Sequence, residues 1–263
     1  MRKCNIVSLM SLARLIPVVT LLGEQAVKTK EFKNPKYVGD PVNTTALLSS
    51  FEVEELIVLD ISESFKSEPT IEKTLAQIVE NAFMPIAYGG GLASFLEAKI
   101  KFELGFDKVI LRRNLFKDNL ATQIAQHYGS QAISGCLDVT YPENRPSQMI
   151  VNGEEYEISQ ASELLFQVSN LGIGELIIQD IDRDGTRSGF RQHPLLTQAI
   201  QDLQIPVVPL GGCHSVEDAA EFLQKTHSHS IAASTMFLFR PTREAILVTY
   251  PNIDRWHDLI KEK

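Results

Sequence analysis

Cysteine is scarce in this sequence. The three residues Cys4, Cys136 and Cys213 are odd in number and far apart, with no CxxC pair among them. That excludes a disulfide framework or a thiolate zinc site, and buried reduced thiols are expected instead. The six histidines fall into no metal-ligand spacing, and His227-Ser228-His229 reads as an exposed turn rather than a metal site. Basic charge is also in deficit: 25 Lys and Arg face 33 Asp and Glu, for a net charge of −8 and a pI near 5.3. Nothing there offers the basic stripe a nucleic acid needs. No apolar run approaches the ~18 to 20 residues of a membrane span. Residues 1–20 carry Arg2, Lys3 and Arg14 without a signal-peptide core and cleavage site, so a cytoplasmic protein is expected. Neither a metal nor a cofactor is implied.

What is present is 44% hydrophobic residues in a chain of 263, enough for one α/β barrel or two small domains with a large core. The central stretch runs from Gly174 to Thr186. Glu175 to Ile178 has the apolar character of a strand buried on both faces, and it breaks into a polar loop carrying Asp180, Asp182, Arg183, Asp184 and Gly185. In a parallel α/β protein, ligands bind at that end of a strand.

The same phrase occurs twice. Glu55 to Ile61 matches Glu175 to Ile181 at five of seven positions with an offset of 120, and Pro85 to Ser94 answers Pro206 to Ser215 with an offset of 121. Two matches in the same order at nearly one offset imply two homologous halves, about 14–128 and 129–263. Strands are expected at Leu15–Leu22, Glu55–Asp60, Pro85–Tyr88, Lys108–Leu111, Ala132–Val139, Glu175–Gln179, Pro206–Leu210 and Ser230–Ala233. Helical patterns follow near Pro41–Phe51, Thr70–Asn81, Ser94–Phe102, Asn114–His127, Ile158–Asn170, Pro194–Asp202 and from Ser215 to Lys225. Gly23–Asp40 and Thr140–Glu154 read as long loops or hairpins. Eight strand-helix units in a four-plus-four arrangement predict one (β/α)8 TIM barrel domain spanning 1–263.

The active site of such a barrel lies at the C-terminal ends of its strands. Glycines between strand and helix let backbone amides approach an anion, so one phosphate site is expected at Gly90 and Gly91 and a second at Gly211, Gly212 and Ser234. A substrate phosphorylated at both ends would suit them. Asp138 is the best candidate for acid-base work, either as a carboxylate with a raised pKa or as a structural acid holding a nearby amide. Aligning Val18-Val19-Thr20 with Cys136-Leu137-Asp138 places Thr20 opposite it, so the first strand offers no carboxylate. Lys28, Lys30, Lys33 and Lys36 either bring positive charge over the mouth or form a solvated basic loop.

With these residues in view, the chain resembles the cyclase subunit of imidazole glycerol phosphate synthase from histidine biosynthesis. Gly39-Asp40-Pro41, Leu59-Asp60-Ile61, Gly89-Gly90-Gly91, Asp180 to Thr186 and Ala232-Ala233-Ser234 carry the resemblance, which covers nearly the whole chain. It implies ammonia supplied by a glutaminase subunit at the N-terminal face and a bis-phosphorylated aminoimidazole ribonucleotide cleaved and cyclised at the mouth. It implies a general base at Asp138, a substrate-contacting lysine at Lys28, and phosphate and mouth positions at Asp184, Gly185, Gly211, Gly212 and Ser234. It also implies an ammonia gate of Arg14, Glu55, Lys108 and Glu175, the other reading being solvated strand-end charges, and a glutaminase contact at Asp107. Two departures stand out: Thr20 where the family has a second essential aspartate, and Arg112 and Arg113 in place of a small polar pair. These departures bring the chain nearest to the cyclase-like proteins of surface-polysaccharide biosynthesis, which work with a glutaminase-like protein and a sugar amidotransferase. The expectation is therefore ammonia delivery for amidation of a nucleotide sugar, with the synthase reaction as the alternative.

Overall fold

The computed structural model describes residues 13–226, 228, 230–240 and 245–261; Cys4, His227 and His229 lie outside them. Eight parallel strands, Arg14–Leu22, Leu56–Asp60, Ile86–Gly89, Lys108–Leu111, Ile133–Thr140, Glu175–Asp180, Val207–Leu210 and Ser230–Ala233, each pair with the next. The ring closes where Arg14 to Pro17 of the first strand run beside Ser230 to Ala233 of the eighth. This is a (β/α)8 barrel, and its strands fall within a residue or so of the positions expected from the apolar runs. Because side chains alternate along a strand, one set fills the barrel interior and the other meets the helices. Ile16, Val18, Ile57, Ile110, Cys136 and Ile177 belong to the interior cluster. Leu15, Val19, Val58, Leu137 and Leu176 join the helices in the outer one.

Local sequence sets the helix starts. Asp40 caps Pro41–Ser50 by accepting from the Asn43 amide, with Pro41 in the first turn, where its missing N–H costs nothing. Ser94 and Glu97 form a reciprocal capping box on Phe95–Glu103. Ser215 Oγ accepts from the Asp218 amide at the start of Val216–Thr226. One expected boundary is corrected. The fourth helix starts at Leu120 rather than Asn114, because Asp118 and Asn119 adopt positive φ and break the helical path. Likewise Ile158–Gln160 is a 3₁₀ turn leading into the helix Ala161–Ser169.

Both long insertions are antiparallel hairpins at the mouth end. Gln25–Lys30 pairs with the top of the first strand and with Lys33–Gly39. Gln148–Val151 pairs with the top of the fifth strand and with Glu154–Glu157. A last helix, Ile253–Lys261, packs on the barrel beside the first strand, with fully buried Trp256 donating from Nε1 to the Ala13 carbonyl. Among the described residues no helix is long and apolar enough to cross a membrane.

Strand register places the repeat on a structural footing. Leu21 lies opposite Asp60 and Val139 opposite Asp180, so Thr20 and Asp138 occupy equivalent places on the first and fifth strands.

Candidate active site

The N-terminal end of the barrel carries a closed set of charges. Arg14 reaches across the axis to ion-pair with both Glu55 and Glu175. Lys108 Nζ lies 2.7 Å from Glu55 and 3.7 Å from Glu175. Ser134 Oγ donates to Glu175 at 3.1 Å, and Arg14 Nε donates to Ser230 Oγ at 3.0 Å. Both glutamates are buried, with side chains only 4% and 8% exposed. Six strand starts therefore meet in one hydrogen-bonded network, a stronger constraint than a ring of solvated charges. Asp107 is exposed beside it, and its carboxylate accepts from the Ile86 amide at 2.8 Å.

At the opposite end Asp138 is only 1% exposed and its Oδ2 lies 2.6 Å from Arg112 Nη2, while Oδ1 is buried with no hydrogen-bond partner. Burial pushes the Asp138 carboxyl above the ordinary carboxylate range, and the Arg112 guanidinium pulls against it. Thr20, also buried, stands at the equivalent place on the first strand. Arg112, Arg113, Gly90, Gly91 and Cys136 line one cleft, with Phe32 from the tip of the first hairpin. Its ≈ 820 Å³, counted with the solvent space at its opening, suits a small-molecule ligand. Arg113 faces Glu63 at 3.6 Å, both side chains being exposed.

A second, smaller recess is lined by Asp184, Gly185, Gly211, Gly212 and Ser234. Ser234 Oγ is buried there without a hydrogen-bond partner. Gly211 has φ of +106°, and a Cβ on it would lie 2.5 Å from the Asp180 carbonyl, so only glycine lets this turn press against the sixth strand. Asp184 and Gly185 also act as a clasp. Asp184 Oδ2 accepts from Thr29 Oγ1 at 2.8 Å and its carbonyl accepts from the Glu31 amide, while a Cβ on Gly185 would sit 2.0 Å from the Thr29 carbonyl. The loop after the sixth strand thus fixes the first hairpin over the mouth. Lys28 on that hairpin lies over the Phe239 ring, 3.9 Å from its centroid.

A further group of acids ties down the loops at the mouth. Asp60 accepts from the Ser62 and Thr70 amides, and Asp180 accepts from the Asp182 and Arg183 amides, so both halves use the aspartate ending the strand to tie down the following loop. The matching Asp-Ile dipeptides were the signal available for this shared role. Asp180 differs in keeping Oδ2 buried and unbonded, 3.8 Å from Arg191 Nε. Burial, chiefly, raises its pKa to about 6. Arg191 also stacks over Tyr141 and approaches Asp182.

Comparison with known proteins bears on the whole barrel. The sequence pattern of the family described as "Histidine biosynthesis protein" matches residues 14–240. A Pseudomonas aeruginosa protein provisionally named imidazole glycerol phosphate synthase subunit hisF2 is 34% identical over 253 residues, covering 92% of this chain and 97% of that protein. A Vibrio vulnificus protein provisionally named as the subunit hisF3 is 31% identical, covering 91% of this chain and 93% of its own length. The imidazole glycerol phosphate synthase subunit HisF of a Hydrogenobaculum species is 29% identical, covering 90% and 94% respectively.

Proposed function

Because the chain belongs to the histidine biosynthesis protein family, we propose that it is the barrel subunit of an imidazole glycerol phosphate synthase-type enzyme. In this reading a glutaminase subunit docks at the N-terminal face, and ammonia passes the ring of Arg14, Glu55, Lys108 and Glu175. It then travels along the barrel interior to the mouth. There it meets a phosphorylated substrate seated between the Gly90–Gly91 and Gly211–Gly212 turns, with Asp138 as the group that moves protons.

The observation that carries the reading is the arrangement along the barrel axis. A charged, hydrogen-bonded closure at one end and a buried carboxylate at the other are separated by apolar side chains such as Val18, Ile110 and Ile177. Ammonia is small and neutral, so an apolar passage admits it while a charged amine or hydrated ion would bear a desolvation penalty. The carboxylate at the far end retains one unbonded oxygen, as proton transfer to or from a ligand requires.

Two substrates fit the reading. The relatives are named as synthase subunits, which favours cleavage and cyclisation of the bis-phosphorylated aminoimidazole ribonucleotide to imidazole glycerol phosphate and aminoimidazole carboxamide ribotide. Thr20 favours the other, in which the barrel passes ammonia to a sugar amidotransferase. A threonine hydroxyl cannot replace a carboxylic acid as proton donor near neutral pH.

The test is to incubate the purified chain with ammonium salt and that ribonucleotide and follow substrate loss. High ammonia bypasses the glutaminase, so the assay isolates the barrel's chemistry. Turnover establishes cyclisation. A folded barrel without turnover overturns it and leaves ammonia delivery for sugar amidation, and a Thr20→Asp variant that acquires turnover would trace the difference to the first strand.

A further inference from the structure

The contact between Arg112 and Asp138 joins a catalytic candidate to an anion site. Asp138 is almost fully buried and gives one oxygen to Arg112 at 2.6 Å. The Arg112 side chain is 40% exposed and lines the cleft together with Arg113, Gly90 and Gly91. A guanidinium presents its donors in a fixed planar fork, and the edge that grips a carboxylate is the edge best suited to grip a phosphate. An anion on the Gly90–Gly91 turn and the Asp138 carboxylate therefore compete for one group.

We propose that Arg112 is a positioning residue, a latch that holds Asp138 while the cleft is empty and is drawn off it by the phosphate group of the ligand. With the latch closed, Asp138 is charge-paired and one of its oxygens is blocked. With the latch open, the carboxylate sits in an apolar wall, where burial raises its proton affinity and fits it for acid-base work. Filling the phosphate site and readying the proton-transfer group become one event, so a ligand lacking the phosphate leaves Asp138 latched. This deepens the proposed function, whose phosphorylated ligand it assumes.

A double-mutant cycle with inorganic phosphate as the probe tests it. The full-length protein, Arg112→Gln, Asp138→Asn and the double variant are titrated by calorimetry, with circular dichroism as the check on folding. Losing the arginine should weaken phosphate binding roughly tenfold, the scale of one charged hydrogen bond. Asp138→Asn should tighten binding, because it removes the competitor for the guanidinium. The decisive result is that this gain disappears in the Arg112→Gln background. A gain of equal size in both backgrounds would mean only that the carboxylate repels phosphate, and the latch would be wrong. Unchanged affinity in Arg112→Gln would also overturn it. Arg112→Lys, which keeps the charge but loses the planar fork, substitutes if the neutral variant does not fold. Binding at the Gly211–Gly212 turn, which neither residue lines, should be equal in all four proteins. A failed cycle with turnover in the ammonia assay leaves the proposed function standing, and an intact cycle without turnover leaves the latch standing.

Discussion

Removing the charge of Glu55 separates the two accounts of the N-terminal ring. Glu55 is 4% exposed at its side chain and holds Arg14 on one oxygen and Lys108 on the other, the latter at 2.7 Å. Breaking one partner out of a buried ion pair costs about 3–5 kcal/mol, because the surviving charge stays desolvated without compensation. Here the loss is smaller. Arg14 and Lys108 are 27% and 19% exposed, and each keeps a contact with Glu175. Glu55→Gln should therefore cost about 2–3 kcal/mol, and at this chain length ~2–4 °C per kcal/mol gives a melting-temperature fall of about 5–10 °C. Urea unfolding with an unchanged slope would give the free energy directly. A solvated strand-end pair, by contrast, contributes about 0–1 kcal/mol and fades in concentrated salt. A loss below about 1 kcal/mol, or one that disappears in 1 M salt, would refute the closed-network account.

Gly185→Ala should destabilise by about 2–4 kcal/mol, more than the cost of positive φ alone, because its Cβ would lie 2.0 Å from the Thr29 carbonyl. Limited proteolysis should then open the hairpin Gln25–Gly39, whereas Gly153→Ala, at φ +87° with nothing within 4 Å, should cost only about 1 kcal/mol and leave it closed. Asp180 titrates near 6 in the fold against an ordinary 3.8, so the folded state binds its proton more tightly than the unfolded chain does. Its contribution to stability is full below about 4 and is lost as pH rises through 6, amounting to about 3 kcal/mol. Asp180→Asn, which keeps the acceptor for the Asp182 and Arg183 amides, should remove that slope from a stability-versus-pH curve, and an unchanged slope would assign it to other groups. Charge reversal by Asp107→Lys should weaken binding of a glutaminase subunit at least severalfold in a pull-down or calorimetric titration, and unchanged affinity would remove Asp107 from the proposed interface.

The strands were legible because burial on both faces demands continuous apolar runs, and the repeat confined them to one topology. The repeat also marks Glu55 and Glu175, the acids that open the matching phrases, but their grouping with Arg14 and Lys108 was implied by the family resemblance alone. What the sequence concealed are contacts between distant segments. Thr29 and Asp184 are 155 residues apart, and nothing local to either announces the clasp. Arg112 and Asp138 were each singled out, yet their pairing depends on strands four and five lying side by side with Leu111 opposite Gly135. The late start of the fourth helix had a signal in Asp118-Asn119, residue types that readily take positive φ, which an expected helix from Asn114 passed over. The last helix carried a readable signal in the spacing of Ile253, Trp256 and Ile260, which lies beyond the matched segments of the two halves.

The two halves of the barrel are most informative where they differ. Asp60 and Asp180 do the same loop-tying work, and the Gly90–Gly91 and Gly211–Gly212 turns are equivalent in position. A mouth with that symmetry would bind a two-ended anionic substrate equally well in either direction. Two positions break it. Asp138 stands on the fifth strand where the first has Thr20, and Arg112 stands two residues beyond Ile110 on the fourth, where the eighth has Ser234 two beyond Ala232. The departures depend on one another: Asp138 alone would be an unpaired buried charge, and Arg112 alone would lack the partner that holds it inward. Together they are neutral at rest and place a carboxylate and a guanidinium on one side of the mouth. The opposite recess offers amides, the unbonded Ser234 hydroxyl and Arg187, which donates to the His214 carbonyl instead of gripping a buried carboxylate. That asymmetry gives a duplicated scaffold a direction, because the end of the ligand that displaces Asp138 from Arg112 is the end held beside the proton-transfer group.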